Sequence, residues 1–251
     1  MDDFAGKVAL ITGAGRGIGR EIARGFSSLE AIVAANDINP INLDETVDQI
    51  MQTGGNARAY VFDIAKRMPI EGMLGQVLGH FGRIDFLVNC ASVEPDANVL
   101  DMDEWEFHRT LDVNLGGPFF CIQQVGRVMR TQGSGAIVNL ISTYAQGNSS
   151  QGHAAHLASQ FGLIGLTQAA AQELSAYNIR INSVCRGSKE LGSIALQQGD
   201  MAAFYQWKIT LPYRLQGEHP DLTNLVLYLC SNASASLTGQ VLSIDAQEQD
   251  L

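Results

Sequence analysis

The feature that most constrains the fold is a glycine-rich segment lying between a short apolar run and a helical pattern. It reads Thr12-Gly13-Ala14-Gly15-Arg16-Gly17-Ile18-Gly19 and directly follows the run at 7–12. Glycines at such positions permit a tight turn, the approach of backbone to a phosphate and close packing of helix on strand, while the helix N-terminus attracts negative charge. The segment therefore predicts nucleotide binding at a strand-to-helix turn.

Short runs rich in β-branched residues alternate with longer helical patterns along the chain. Strands are expected at 7–12, 31–36, 57–62, 83–89, 136–141, 179–184 and 240–245. This alternation predicts a parallel sheet whose strands are joined by right-handed helical crossovers. We expect an α/β protein with a three-layer Rossmann fold, a doubly wound parallel sheet of about seven strands. The 251 residues, 46% of them hydrophobic, suit one domain over 1–251.

The composition excludes several classes of partner. The formal net charge is -10 and the charged residues are scattered, so a nucleic-acid partner is not expected. No apolar segment approaches the roughly 20 residues that cross a bilayer, and no basic stretch precedes the first apolar run. We expect a cytoplasmic protein with no membrane contact.

The stretch 187–212 has weak periodicity and several polar residues. It is interpreted either as a lid-like excursion over a site or as a packed helical excursion. Substrate contacts would come from this stretch, and the sequence names no substrate.

Asp37 provides a second indication of nucleotide binding, independent of the glycines. It ends the second predicted strand, about 20 residues beyond the glycine segment, where a carboxylate can accept hydrogen bonds from both ribose hydroxyls and repel a 2′-phosphate. The expected nucleotide is NAD(H) rather than NADP(H). The alternative role for Asp37 is that of a turn residue or helix cap before Pro40.

The order of these and further motifs resembles the short-chain dehydrogenase/reductase family nearly from end to end. In that family the glycine segment has the same spacing, with Thr-Gly, three residues, and then Gly-x-Gly. The other matching positions are Asp63-Ile64 after the third strand, Asn89-Cys90-Ala91-Ser92 after the fourth, Asn114 in a helix, Ser142 after the fifth strand, and Arg214 followed by the segment at 237–245.

The resemblance implies a set of site residues. The implied cofactor-binding residues are Gly13, Arg16, Gly17, Ile18, Gly19, Asp37, Asp63, Ile64 and Asn89. Ser142 and Asn114 would bind substrate and relay a proton through water. The implied cofactor is NAD, bound through its adenosine end.

The resemblance fails at the residues that carry the family's proton chemistry. A tyrosine that exchanges the proton is replaced by His156, and a lysine four residues later, which lowers the pKa of the tyrosine and holds the nicotinamide ribose, is replaced by Gln160. An unperturbed tyrosine, with a pKa of about 10, is a poor base at neutral pH, and a neutral glutamine cannot stabilise a phenolate. The active site is therefore expected to be degenerate.

Further departures lie near the same half of the cofactor site. Ser92 stands in the place of a glycine, Arg186 in that of a proline, Leu191 in that of a threonine, and Ala246-Gln247 in that of two glycines. The adenosine half of the predicted site matches the family, whereas the nicotinamide half does not.

Three functions remain open. The preferred one is a catalytically inactive subunit that pairs with an active NAD-dependent relative, such as an alcohol or hydroxyacyl-CoA dehydrogenase. The resemblance implies a homo- or hetero-oligomer with a subunit of the same family through helices at about 103–131 and 153–177. The second is an unorthodox dehydrogenase with His156 as acid and base, since imidazole titrates near pH 6.5. The third is an NAD(H)-binding sensor without turnover.

A metal site is not expected. His153 and His156 are three residues apart, but no third ligand is evident from the sequence.

Overall fold

The structure, a computed structural model, describes residues 3–142, 152–186 and 220–244. The strands are β1 (Val8–Thr12), β2 (Ile32–Asp37), β3 (Asn56–Val61), β4 (Phe86–Asn89), β5 (Gly135–Ser142), β6 (Ile179–Arg186) and β7 (Val241–Ile244). The α-helices are α1 (Gly17–Ser28), α2 (Pro40–Gln52), α3 (Arg67–Phe81), α4 (Glu104–Leu111), α5 (Gly117–Gln132), α6 (Ala154–Leu174) and α7 (Pro220–Cys230). A π-helical turn (Asp112–Gly116) joins α4 to α5.

The strands form one parallel sheet in the order β3-β2-β1-β4-β5-β6-β7. The strand order reverses between β1 and β4, and ligands of doubly wound sheets bind at such a reversal, beyond the carboxyl ends of the strands. Thr12 pairs in register with Asn36 of β2 and with Asn89 of β4, so the three strands end at the same level. This alignment brings the segments that follow them together.

Each face of the sheet is covered by its own layer of helices. One apolar core cluster contains residues of α1, α2 and α7, and the other contains residues of α3, α5 and α6. All five residues of β1 are buried, as expected for a central parallel strand covered on both faces. The three-layer Rossmann fold predicted from the sequence is confirmed.

Local sequence explains where several helices begin and end. Asn39 caps α2 by accepting the N–H of Asn42, and Pro40 occupies the first turn, where a missing N–H costs nothing. Asp103 caps α4 in the same way, and Gly82 and Gly133 end α3 and α5 in the left-handed conformation.

Every predicted strand is present, with its ends shifted by at most three residues. The stretch 187–212 lies outside the described residues. In the described part of the chain, no helix combines the length and the hydropathy required to cross a bilayer.

Candidate nucleotide-binding site

A cavity of about 500 Å³ lies beyond the carboxyl ends of the central strands. Its volume falls within the range of ligand pockets, about 300–1,000 Å³. It is lined by the glycine-rich loop, by the residues that follow β2, β3 and β4, and by residues of β5, α4 and α6. Among these are Gly13, Arg16, Gly17, Ile18, Gly19, Asp37, Asp63, Ile64 and Gln160, all predicted from the sequence.

The glycine-rich loop is held close to the segment that follows β4. A Cβ at Gly13 would lie 2.7 Å from the Cα of Ala91, and the φ of Gly13 is +67°. A Cβ at Gly19 would collide with the carbonyl oxygen of Gly13, so the first turn of α1 packs directly on the loop. Side chains at either position would therefore push the backbone of the cavity wall apart.

The first residues of α1, Gly17, Ile18 and Gly19, line the cavity. Arg16 is the N-cap residue, and within the described chain no side chain caps this helix and no acidic residue lies in its first turn. The rear of the loop is fixed by Arg20, whose Nη2 and Nε atoms donate to the carbonyl oxygen of Gly15 at 2.6 and 3.2 Å. The N–H groups of a helical first turn that has no side-chain cap can donate to an anion such as a diphosphate.

Asp37 stands at the end of β2 with its carboxylate preset by backbone N–H groups. Its Oδ2 accepts the N–H of Gly15 at 2.9 Å, and its Oδ1 accepts the N–H of Asn39 at 2.9 Å. A Cβ at Gly15 would lie 2.7 Å from Oδ2 of Asp37, so glycine is required for this contact. Gly15 was not among the predicted site residues, although its place within the glycine-rich segment was the available signal.

Asp63 forms a bidentate ion pair with Arg109 at the cavity rim. Arg109 donates from Nη1 to Oδ2 at 2.8 Å and from Nη2 to Oδ1 at 3.3 Å, and the N–H of Ala65 donates to Oδ1 at 2.9 Å. Burial raises the pKa of Asp63, but the hydrogen bonds from Arg109 and Ala65, together with the charges of Arg109 and Lys66, outweigh it and lower the pKa below its ordinary value. The carboxylate is therefore ionised and keeps lone-pair capacity for a further donor.

Several cavity residues near Asp37 and Asp63 were not predicted. Ile38 and Phe62 line the cavity beside the predicted Ile64 and give this end an apolar surface. Arg109 was also missed, because its partner lies 46 residues earlier and only the fold joins them. The sequence signal available for Ile38 was its position directly after Asp37.

Asn89 is buried, and the two residues that follow it, Cys90 and Ala91, line the cavity. Its Nδ2 donates to Oδ1 of Asn139 at 2.8 Å, and Nδ2 of Asn139 donates to Oγ1 of Thr167 at 2.9 Å. The latter hydroxyl lies 2.7 Å from Oγ of Ser183. The described contacts of Asn89 thus join β4, β5, α6 and β6, and its predicted contact with a cofactor stays a prediction.

Asn114, in the π-helical turn, uses all the hydrogen-bonding capacity of its amide within the protein. Its Oδ1 accepts the N–H of Val93 at 2.8 Å and the hydroxyl of Ser92 at 3.2 Å. Its Nδ2 donates to the carbonyl oxygen of Val93 at 2.9 Å and to Oγ of Ser159 at 3.1 Å. An amide has two acceptor sites and two protons, so the side chain of Asn114 clamps the 92–93 segment to α6.

His156 belongs to the same cluster and is 1% exposed. Its Nδ1 lies 3.2 Å from the carbonyl oxygen of Val93 and 3.3 Å from Nδ2 of Asn114. Since both amide protons of Asn114 have closer acceptors, the hydrogen-bond count assigns the ring proton to Nδ1, which donates to Val93. Nε2 is then the basic nitrogen.

Gln160 and Glu94 line the end of the cavity formed by β5, α6 and the segment after β4. Gln160 is buried and neutral. Glu94 lies 3.2 Å from Nδ1 of His153, the residue that precedes α6, and was not predicted as a site residue. Within the described residues, no three histidine, cysteine or acidic side chains are grouped to bind a metal ion.

Ser142 and Arg186 are opposite each other in the last pair of the β5–β6 ladder. Their backbone thus lies at the carboxyl edge of the sheet, while their side chains lie outside the described part of the structure, as do Leu191, Arg214 and Ala246-Gln247. The predicted roles of these residues stay predictions.

The sequence matches the profile of a protein family described as enoyl-(acyl carrier protein) reductase over residues 13–246. It is 36% identical over 241 residues to a 3-oxoacyl-(acyl-carrier-protein) reductase, FabG, of Staphylococcus epidermidis, covering 95% of this chain and 97% of that one. It is also 33% identical over 248 residues to an uncharacterised oxidoreductase of Thermotoga maritima, covering 97% of each chain.

Solved structures share the whole fold. A short-chain dehydrogenase/reductase from Mycobacterium marinum superposes with a TM-score of 0.82 at 32% identity, covering 99% of this chain and 98% of that one. An NAD+-bound xylitol dehydrogenase gives 0.76 at 29% identity, covering 96% and 98%. A metagenomic short-chain oxidoreductase in complex with NADP gives 0.80 at 26% identity, covering 97% and 98%. Structural neighbours of this chain thus bind NAD+ or NADP.

Proposed function

The chain belongs to the short-chain dehydrogenase/reductase family of oxidoreductases, and on that premise we propose that it is a non-catalytic, NAD(H)-binding subunit. It would work beside an active relative in a mixed oligomer. The observation that carries the proposal is the contrast between the two ends of one cavity. Asp37 and the α1 N-terminus are arranged for a nucleotide, whereas the resemblance implies that His156 and Gln160 replace the tyrosine and lysine of the family's proton relay, and His156 lies 3.3 Å from Asn114.

The adenosine half fits a dinucleotide on geometric grounds. A Cβ at Gly13 would contact the backbone of Ala91, so glycine there keeps the loop packed against the segment after β4, and within the described residues no atom lies within 4 Å of a Cβ at Gly17, which lines the cavity. The uncapped N-terminus of α1 supplies N–H donors for the diphosphate. Asp37 would accept the ribose hydroxyls and repel a 2′-phosphate, which favours NAD(H) over NADP(H).

A bound NAD would supply the hydride acceptor or donor, and the protein would have to orient the substrate and move one proton. The described residues near this end of the cavity are poorly suited to transfer that proton. Gln160 carries no charge, and the amide of Asn114 is already saturated by Ser92, Val93 and Ser159. The Nδ1–H of His156 is used on the carbonyl oxygen of Val93.

The partner surface would be the groove between α5 and α6. The groove has a volume of about 410 Å³ and an apolar floor that includes Ile122, Leu166 and Leu174. Phe119 and Tyr177, at its margin, are 43% and 42% exposed. Arg127, Arg130 and Glu173 also line it and give it charges of both signs, which suits a specific protein partner. The proposed partner is an active NAD-dependent alcohol or hydroxyacyl dehydrogenase, a class consistent with the 3-oxoacyl reductases among the relatives.

A second candidate function, a dehydrogenase with His156 as acid and base, is favoured by one observation. The Nδ1–H of His156 is held by a backbone carbonyl oxygen, and this leaves Nε2 as the basic atom in a fixed orientation. Against it, His156 is not among the described residues that line the cavity.

Turnover of the purified chain separates the two candidates. The chain would be assayed at high concentration with NAD+ and secondary alcohols, and with NADH and 3-oxoacyl thioesters, in parallel with His156→Ala. The proposal predicts no turnover above the enzyme-free rate for either protein. Turnover that His156→Ala abolishes would establish the second candidate instead.

A further inference from the structure

We propose that Arg20, a residue of α1, is a positioning residue that controls how tightly the glycine-rich loop binds a diphosphate. It would act through the peptide between Gly15 and Arg16, whose orientation it fixes, since Arg20 is not among the described residues that line the cavity. The inference rests on the proposed function, because it concerns the nucleotide site of that proposal, and it deepens that function by naming a residue that controls its affinity.

The guanidinium of Arg20 holds the carbonyl oxygen of Gly15 with two donors. Its Nη2 donates at 2.6 Å and its Nε at 3.2 Å. The guanidinium is held in turn by α2, where Nε also donates to Oγ1 of Thr46 at 2.9 Å and Nη2 lies 2.9 Å from Oε2 of Glu45. Only 17% of the Arg20 side chain is exposed. Arg20 is therefore a fixed link between the loop and α2.

The loop depends on such a link because glycine lets its peptides rotate. Gly15 has no Cβ, so the peptide that follows it can turn over with little steric hindrance. A planar trans peptide directs its C=O and its N–H in opposite directions. While the carbonyl oxygen of Gly15 faces Arg20, the N–H of Arg16 is therefore directed away from the guanidinium.

The preceding peptide follows the same rule, and both of its ends have visible partners. On one side, the carbonyl oxygen of Ala14 lies 3.0 Å from the buried hydroxyl of Thr46. On the other side, the N–H of Gly15 donates to Oδ2 of Asp37, a cavity residue, at 2.9 Å. Side chains of α1 and α2 thus hold the carbonyl oxygens of two successive loop peptides, and the N–H of the first faces a residue of the cavity wall.

The N–H of the second peptide is available to a ligand. In the described part of the chain, no hydrogen bond uses the N–H of Arg16, and Arg16 itself lines the cavity. A donor held in place before binding loses no freedom when the ligand arrives, so its contact contributes fully to affinity. Without Arg20 the peptide could turn, and a carbonyl oxygen would then face the phosphate oxygens in place of a donor.

Displacement of NADH from the full chain, followed by NADH fluorescence, tests the inference with ADP and adenosine as competitors. We expect Arg20→Gln to raise the dissociation constants of NADH and ADP about tenfold. The dissociation constant of adenosine, which carries no phosphate, should stay within about twofold. Equal weakening of ADP and adenosine would overturn the inference, because Arg20 would then support the cavity as a whole. Unchanged binding of ADP would overturn it as well.

Two further variants separate positioning from charge. Arg20→Lys keeps the charge but lacks the two-donor contact, and we expect ADP binding to weaken by at least about threefold. Arg24→Gln removes the same charge one turn further along α1, where the side chain is half exposed and pairs with Glu21, and we expect no change. Wild-type ADP affinity in Arg20→Lys, or an equal loss in Arg24→Gln, would show that charge alone matters and would refute the positioning role.

The two proposals fail in different ways. Turnover of NADH by the isolated chain would end the proposal of a non-catalytic subunit while leaving the role of Arg20 untouched. Wild-type ADP affinity in Arg20→Gln would end this inference and leave the subunit proposal standing. Absence of NADH binding by the wild-type chain would remove the nucleotide site and, with it, both.

Discussion

Gly15 and Asp37 depend on each other, because the loop N–H reaches the carboxylate only when no Cβ intervenes. A Cβ at Gly15 would lie 2.7 Å from Oδ2 of Asp37 and 3.2 Å from Cβ of Asn42. The atom nearest to it is the end of a flexible side chain, so the carboxylate would move while the fold persists. Gly15 is therefore a position where binding and stability can be separated.

We predict that Gly15→Ala weakens ADP-ribose and NAD+ about tenfold, equivalent to about 1.4 kcal/mol, because Asp37 loses its preset orientation. Titration calorimetry measures the affinity, and urea denaturation of the same sample checks that the fold is retained. Wild-type affinity in the variant would show that the Gly15–Asp37 contact is not needed for binding.

Arg109 holds the carboxylate of Asp63 and would act on a bound nucleotide through it. We predict that Arg109→Leu weakens adenine nucleotides by about three- to tenfold, because the freed carboxylate can turn away from the cavity. Arg67→Leu is the matched control, since it also breaks an arginine–carboxylate pair, with Glu71, but on an exposed face. Equal effects of the two variants on affinity would refute a positioning role for Arg109.

The residue scale also shows what a sequence can and cannot predict. Gly13, Gly19 and Asp37 were predicted because steric and charge requirements act locally in the strand-to-helix turn. Arg109 was missed because its role depends on an ion pair with Asp63 across 46 positions. The hydrogen bonds of the Asn114 amide could not be predicted either, since its partners lie in the 92–93 segment and in α6, far from it in the sequence.

At the scale of elements, the β1–α1 turn and the segment after β4 are joined by backbone packing that only glycine allows. A Cβ at Gly13 would meet backbone atoms of Ala91 and Cys90, whereas no atom of the described residues lies within 4 Å of a Cβ at Gly17. Both glycines have a positive φ, +67° and +55°. A side chain at either position would therefore have to adopt a positive φ. Only at Gly13 would its Cβ also collide with neighbouring backbone atoms.

We predict that Gly13→Ala destabilises the protein by about 1–3 kcal/mol more than Gly17→Ala. The first substitution must separate β1 from the segment after β4, while the second incurs only the cost of a left-handed conformation. Urea denaturation followed by circular dichroism gives both free energies of unfolding. Equal losses would mean that the backbone contact of Gly13 with Ala91 contributes nothing.

The strands were predictable at this scale because buried parallel strands leave continuous apolar runs between turn residues. β1 is the clearest case, with all five residues buried. The π-helical turn at Asp112–Gly116 was not predictable from periodicity, since five residues of wider helix interrupt a pattern that otherwise continues from α4 into α5.

For the whole molecule, the groove between α5 and α6 leads to a prediction about assembly. Ala169 is exposed and lines the groove, so an arginine there would have room in the monomer but would fill the space of a docked partner. We predict that Ala169→Arg prevents the chain from assembling with a co-expressed active relative and leaves it as the monomer, measured by size-exclusion chromatography with light scattering. The urea concentration at the midpoint of unfolding is expected to be the same for the variant as for the wild-type monomer.

The control for assembly is Gln49→Arg, which adds the same charge on α2, a helix of the opposite layer. It should leave the oligomeric state unchanged. An unaltered mass for Ala169→Arg, or an equal shift for both variants, would mean that the groove is not the partner surface.

The central claim is that the molecule keeps a nucleotide site and lacks the proton relay that turns such a site into a dehydrogenase. Fluorescence of NADH, followed over hours in the presence of the chain and a 3-oxoacyl thioester, tests both halves in one sample. We predict a change in fluorescence on mixing that saturates with protein concentration. After mixing, the NADH signal is expected to fall no faster than in the sample without protein. A steady loss of NADH proportional to protein concentration, or no binding signal at any concentration, would contradict the account.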